Sequence, residues 1–156
     1  MSAKIIYGKE VAQQLRAEMK TVVEKMKANG INPHLTVILV GDDPASHSYV
    51  RGKEKASQEI GIASKVIKMP EEALLDTIHT WNSDDTVHGI LVQSPLPKHI
   101  DEERVIAAIA PEKDVDGFHP INVGKMILGQ DTFLPCTPHG IIKLLEAIDA
   151  EIEGKH

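Results

Sequence analysis

Leu35-Thr36-Val37-Ile38-Leu39-Val40-Gly41-Asp42-Asp43-Pro44 joins a run of apolar and β-branched residues to a turn that ends it abruptly. The run is short and does not alternate with polar residues, so it reads as a strand covered on both faces. Outward from it the pattern repeats. Upstream, Val11, Leu15, Met19, Val22 and Met26 are spaced four, four, three and four apart and form one stripe on a helix between Glu10 and Asn29, stopped by Gly30. Downstream, a helix is expected from about Ser46 to Ile60, closed by Gly61, then a strand over Ala63 to Met69 and a helix from Glu71 to Trp81. Gly89-Ile90-Leu91-Val92 reads as a third buried strand, ended by Gln93-Ser94-Pro95-Leu96-Pro97, whose prolines cannot continue a ladder. Asp101 to Ala110 returns to helix. Helices alternating with short buried strands predict an α/β fold, a three-layer domain with a mostly parallel sheet covered by helices on both sides. In such sheets ligands bind beyond the carboxyl ends of the strands, which directs attention to the residues after Val40 and after Val92.

The chain of 156 residues suits one domain, and 42% hydrophobic with 26% charged residues is the mix of a globular protein, not of a disordered one. A net charge of -6 with no basic run argues against nucleic acid as a partner. The start, Met1 to Gly8, turns polar quickly and no apolar run has membrane length, so neither a signal peptide nor a membrane span is expected. The lone Cys136 forms no internal disulfide and fits a reducing, cytoplasmic setting. From Pro111 onward the chain is loop-like around Asp114-Val115-Asp116-Gly117 and Leu134-Pro135-Cys136-Thr137-Pro138, and Thr137-Pro138 suits the N-cap and first position of a helix ending near Ala150.

Three places could carry chemistry. Tyr49, Lys53, Ala56 and Ile60 share one helix face, so a lysine sits inside an apolar stripe. Such a lysine either snorkels past its neighbours or, where partly dehydrated, serves proton transfer; Tyr49 one turn earlier is either ordinary core or a surface for a flat ligand. Gln93 ends an apolar strand at the ligand edge, where its amide either meets water or donates to a substrate while accepting from Lys53. Asp114-x-Asp116-Gly117 is an acidic turn, a metal-binding pair, or the source of one carboxylate for the amidine-like edge of a heterocycle. It is not an EF-hand loop, whose third acidic position and distal glutamate are missing. Gly124 and Gly129 have P-loop spacing, but Gln130-Asp131 replaces its Lys-Ser/Thr pair. No Gly-x-Gly-x-x-Gly and no zinc-type His/Cys cluster occurs. The eight histidines are scattered singly and read as structural or solvent-facing, and Cys136 reads as a packed thiol, not a nucleophile.

Taken together, Ser48-Tyr49-Val50-Arg51-Gly52-Lys53, Gly89 to Pro97, Pro111 to Phe118 and Pro135-Cys136-Thr137-Pro138-His139-Gly140 resemble the bifunctional methylenetetrahydrofolate dehydrogenase/cyclohydrolase family, the FolD proteins. The resemblance runs along essentially the whole chain. It implies an N-terminal catalytic domain of the aminoacid-dehydrogenase-like type, with residues 1–150 binding folate. Residues 151–156 would begin the linker or first strand leading to a Rossmann NADP domain that is missing here, as in a fragment or truncated product. The implied activity is oxidation of 5,10-methylenetetrahydrofolate with NADP and hydrolysis of the methenyl product to 10-formyltetrahydrofolate, in one-carbon metabolism and purine biosynthesis. Carried over residue by residue, Lys53 is the catalytic lysine, Gln93 its partner, Tyr49 the tyrosine packed on the folate and Asp116 the carboxylate on the pterin. Val92, Ser94 and Pro95 complete the substrate contacts. The family implies a homodimer, no metal, and no NADP contact from this chain. A non-catalytic folate-binding fragment is the alternative, followed by a metal-dependent enzyme using Asp114 and Asp116. Gly52 and Ser94 depart from the family's usual larger polar residue and leucine, and Tyr7 from a frequent aspartate.

Overall fold

The computed structural model describes residues 5–154. The first residues of the expected polar start, Met1 to Lys4, and the last two of the 151–156 segment, Lys155 and His156, lie outside the described residues. Helix α1 spans Gly8–Ala28, strand β1 His34–Val40, helix α2 Pro44–Ile60, strand β2 Ala63–Met69, helix α3 Leu74–Asn82 and strand β3 Gly89–Val92, followed by the helices α4 (Glu102–Ala108), α5 (Pro120–Ile127) and α6 (Cys136–Glu146). The three strands are parallel in the order β2-β1-β3, as the apolar runs require.

Alternation along β1 divides the core between the two faces of the sheet. Ile38 and Val40 meet Leu74 and Ile78 of α3 and Val105 of α4 on one face. Val37 and Leu39 meet Val50 of α2 on the other, and α1 packs outside α2. The expected layering is thus present. Right-handed crossovers give its reason: the chain passes from β1 to β2 in one direction and from β2 back past β1 to β3 in the other, so the same handedness puts α2 and α3 on opposite faces. That reversal opens a crevice at the carboxyl ends of β1 and β3. Ile38, Leu74, Ile78 and Ile90 are fully enclosed, each worth roughly 1.5–3 kcal/mol of apolar burial.

Local chemistry accounts for the element ends. Asp43 caps α2, its carboxylate accepting from Ser46 N at 2.7 Å with Pro44 in the first turn, so the helix begins two residues before the expected Ser46. Gly61 closes α2 at φ 86°, and Gly30 ends α1 at φ 81°. The segment expected as a helix from Glu71 starts as a single 3-10 turn, Glu71–Ala73, before α3. Asp101 is not the first residue of α4 but its cap, accepting from Arg104 N at 3.1 Å, and the helix stops at Ala108, two residues before the expected end.

Two expectations are corrected. On α1 the buried residue is Val23, which lies against Gly61 after α2, while Val22 and Met19 are exposed. The α1 face that meets α2 is turned past the expected stripe, of which Leu15 and Met19 border a groove. For α6 the cap is Pro135, with no side-chain bond, and Thr137-Pro138 lie inside the first turn, where the proline's missing N–H has no partner to lose. The helix ends at Glu146 instead of near Ala150 because the chain turns through Asp149 at φ 53°, with Ala150 N donating to Leu145 O.

Candidate active site

Gln93 follows β3 directly, and its backbone N donates to Ile38 O at 2.9 Å, extending the ladder by one residue beyond the strand. This bond fixes the side chain at the mouth of the crevice, with 8% of the residue exposed. Lys53 arrives from the middle of α2, and its Nζ donates to Gln93 Oε1 at 3.0 Å. The Gln93 Nε2 donates in turn to Ser94 O at 2.6 Å, so the amide orientation is set at both ends. The sequence left Lys53 as a snorkelling or a functional residue. Forty positions separate it from a buried amide oxygen, and the fold brings the two into direct contact.

Asp116 enters from a third direction. Asp114 forms an isolated parallel bridge with Ile90, so the segment after it runs beside β3 on the edge away from β1. In that register Asp116 comes level with Val92. Burial pushes the Asp116 carboxyl above the usual carboxylate range; the nearby Lys53 ammonium opposes this, and the Asp114 carboxylate adds to it. Lys53 and Asp116 stand at one end of a largely apolar groove of about 800 Å³ that continues between α1 and α2 past Leu15, Met19 and Ile60, with Phe133 and Cys136 on its other side.

Tyr49 is not core: it is 65% exposed, one turn before Lys53 on α2. Ser94 and Pro95 are exposed beside Gln93, joined by a cis peptide bond, and the Ser94 hydroxyl donates to Glu102. Tyr49, Gln93, Val92, Ser94 and Pro95 do not line the groove: Val92 packs against the α3 and α4 side of the sheet, and with Ser94 it lines a small separate cavity that Asp116 also reaches. The two aspartates of the acidic turn separate. Asp114 is buried, its Oδ2 accepting from His119 N at 2.8 Å and from Asn122 Nδ2 at 2.9 Å, whereas Asp116 faces the groove. A metal site shared by the pair loses one of its two ligands to these bonds. Among the described residues no group of three or more His, Cys, Asp or Glu is arranged to hold a metal ion.

Cys136 is exposed and lines the groove, which corrects its reading as a packed thiol. Its Sγ donates to Val115 O at 3.7 Å, and partial loss of water around the sulfur, followed by the Asp116 carboxylate, pushes the thiol up, away from a nucleophilic thiolate. His119 is buried with a structural duty, its Nδ1 accepting from Ile121 N at the start of α5. Sequence reasoning missed Asn122 and Thr132, which are tied to Asp114. Polar residues expected on a short helix and a loop carry no periodic signal of burial, although Asn122 is only 2% exposed.

A family model for the catalytic domain of tetrahydrofolate dehydrogenase/cyclohydrolase matches residues 6–116, a span that includes Tyr49, Lys53, Gln93 and Asp116. The chain belongs to this family. A relative from Geobacillus thermodenitrificans named bifunctional protein FolD is 61% identical over 160 residues, and one from Exiguobacterium sibiricum is 60% identical over 158; the matches cover 100% and 99% of this chain, but 56% and 57% of those proteins. The crystal structure of the bifunctional FolD enzyme of Campylobacter jejuni superposes with a TM-score of 0.92 at 49% identity, covering 95% of this chain and 54% of that one. A Trypanosoma brucei methylenetetrahydrofolate dehydrogenase-cyclohydrolase, solved with NADP and an inhibitor, gives 0.92 at 33% identity over 99% of this chain and 55% of that one. The chain therefore spans about half the length of the curated relatives that it matches. Among the described residues no helix is long and apolar enough to cross a membrane.

Proposed function

We propose that residues 1–150 form the folate-binding catalytic domain of a bifunctional enzyme that oxidises 5,10-methylenetetrahydrofolate with NADP and hydrolyses the methenyl product to 10-formyltetrahydrofolate, acting as a cytoplasmic homodimer. Residues 151–156 then begin the connection to a dinucleotide-binding domain. The observation that carries the reading is the Lys53 Nζ to Gln93 Oε1 bond at 3.0 Å, made at the carboxyl edge of the sheet in a chain of this family.

Cyclohydrolysis needs water to attack the methenyl carbon as the bond from that carbon to one ring nitrogen opens. The carbon becomes a formyl group, one proton of the water ends on the freed nitrogen, and the other is released. Lys53 as a neutral amine takes a proton from the attacking water, and as ammonium it returns one to the nitrogen. Gln93 holds the amine in place through its amide oxygen. Tyr49 offers its exposed ring to the folate face, and Asp116 accepts from the amino-pyrimidine edge of the pterin through two hydrogen bonds. Val92, Ser94 and Pro95 line the approach.

The residues present do not fit NADP. In a doubly wound sheet a phosphate would sit at the α2 N-terminus after β1. Here the Asp43 carboxylate already accepts from Ser46 N, and Asp42 stands beside it paired with Lys68. This chain's residues therefore offer no seat for the phosphates of a hydride acceptor. Titration with folic acid tests the reading, followed by hydrolysis of methenyltetrahydrofolate. Binding without added metal and turnover lost in Lys53→Met support it. Binding with no turnover favours a folate-binding module, and failure to bind refutes both.

A further inference from the structure

Asp114 takes no part in the chemistry above, yet it is one of the most enclosed polar side chains, 2% exposed. One oxygen, Oδ2, accepts from both His119 N and Asn122 Nδ2. Asn122, on α5, uses its other amide proton on Pro111 O at 2.8 Å, and its Oδ1 accepts from the Thr132 hydroxyl at 2.8 Å. Every polar atom of the Asn122 side chain is thus engaged. The amide orientation has no alternative, because both acceptors facing Nδ2 would repel a carbonyl oxygen.

The chain links three segments: the turn that carries Asp116, the first turn of α5, and the loop over residues 131–135. That loop lies directly on the Asp116 turn. Gly117 is at φ 70°, and a Cβ there would fall 2.7 Å from Leu134 C and 2.9 Å from Phe133 O. Cys136 Sγ reaches Val115 O from the same side. Asp116, Phe133 and Cys136 all line the groove, so its two walls are joined behind the surface by Asp114, Asn122 and Thr132.

We infer that Asp114, Asn122 and Thr132 are positioning residues that fix Asp116 and the 131–135 loop as two walls of one ligand site. Asp114 orders the turn from inside, and Thr132 is the single side-chain hydroxyl by which the loop is tied to it through Asn122. The inference deepens the folate reading and rests on it: a carboxylate that must meet two donors of a planar ring together requires its backbone to be held in one orientation.

Thr132 offers the mildest test, since Thr132→Val removes the hydroxyl and keeps the shape, and Thr132→Ser restores it. Affinity for folic acid is measured by calorimetry on the whole chain, and amide hydrogen exchange over residues 114–119 and 131–136 is followed without ligand. Loss of one such hydrogen bond should weaken binding about fivefold and speed exchange in both segments by a similar factor, with Thr132→Ser close to the parent chain in both readouts. Asn122→Asp, which sets a carboxylate against Asp114, should weaken binding more; should it fail to fold, the Thr132 pair decides. Unchanged affinity in Thr132→Val, or a Thr132→Ser chain as weak as Thr132→Val, overturns the inference and leaves the folate reading standing. A parent chain that binds no folic acid overturns the folate reading, and unchanged exchange in Thr132→Val then overturns the coupling of the two walls as well.

Discussion

Replacing Lys53 by Met separates what this side chain does for the fold from what it does for the reaction. Met preserves most of the unbranched stem, so packing beside Ala56 changes little. The lost partner of Gln93 Oε1 matters more. An orphaned buried acceptor costs about 1–3 kcal/mol, and the lower end applies because Lys53 itself is only half-buried, so water can enter the space its ammonium leaves beside the oxygen. A destabilisation of about 1 kcal/mol lowers the thermal midpoint of a chain of this size by about 2–4 °C. Replacing Gln93 by Leu as well removes the orphan, so the double variant should regain much of that loss, a coupling of about 1 kcal/mol in a double-mutant cycle. Turnover should behave differently. General acid-base catalysis is worth about 10²–10⁴-fold, and the double variant should be as inactive as Lys53→Met. The assay follows disappearance of methenyltetrahydrofolate absorbance beside thermal unfolding of the same samples. Hydrolysis by Lys53→Met within tenfold of the parent chain would refute the proton-transfer role, and strictly additive unfolding energies would refute the importance of the Gln93 bond.

Asp116→Asn should weaken folic acid binding by about 2 kcal/mol or more without lowering the thermal midpoint at neutral pH, because it removes a carboxylate that burial disfavours. Its native carboxyl is raised above the unfolded one, so the native state binds more protons between those two values and the parent chain loses stability as pH rises through that window; Asp116→Asn should abolish that fall, as pH-dependent unfolding will show. Gly52→Ala should stabilise the chain by about 0.5–1 kcal/mol in denaturant unfolding, since Gly52 lies inside α2 and an added Cβ meets nothing within 4 Å. With methylenetetrahydrofolate and NADP, the chain by itself should form no NADPH; clear turnover without added protein would contradict the reading of the Asp43-capped turn as unfit for a phosphate.

The sequence by itself determined the layered α/β fold, because an unbroken apolar run such as Leu35 to Val40 is stable only between two covering layers, and because Gly30 and Gly61 mark helix ends through backbone conformation alone. It also put Lys53 on a face with Ile60, since helical spacing is a local property. It left open whether Lys53, Gln93 and Asp116 meet, and it set Asp114 and Asp116 side by side as equals. Only the tertiary structure decided these points. The Lys53 to Gln93 bond spans a separation of 40 residues closed by the parallel pairing of β1 with β3, and the bridge from Ile90 to Asp114 enclosed one aspartate while leaving the next facing the groove. The same limit explains Val22 and Val23 on α1: periodicity marks the apolar side of a helix, but which of its residues become buried depends on where the neighbouring helix meets it. Local spacing records what one element can do, and burial records what surrounds it.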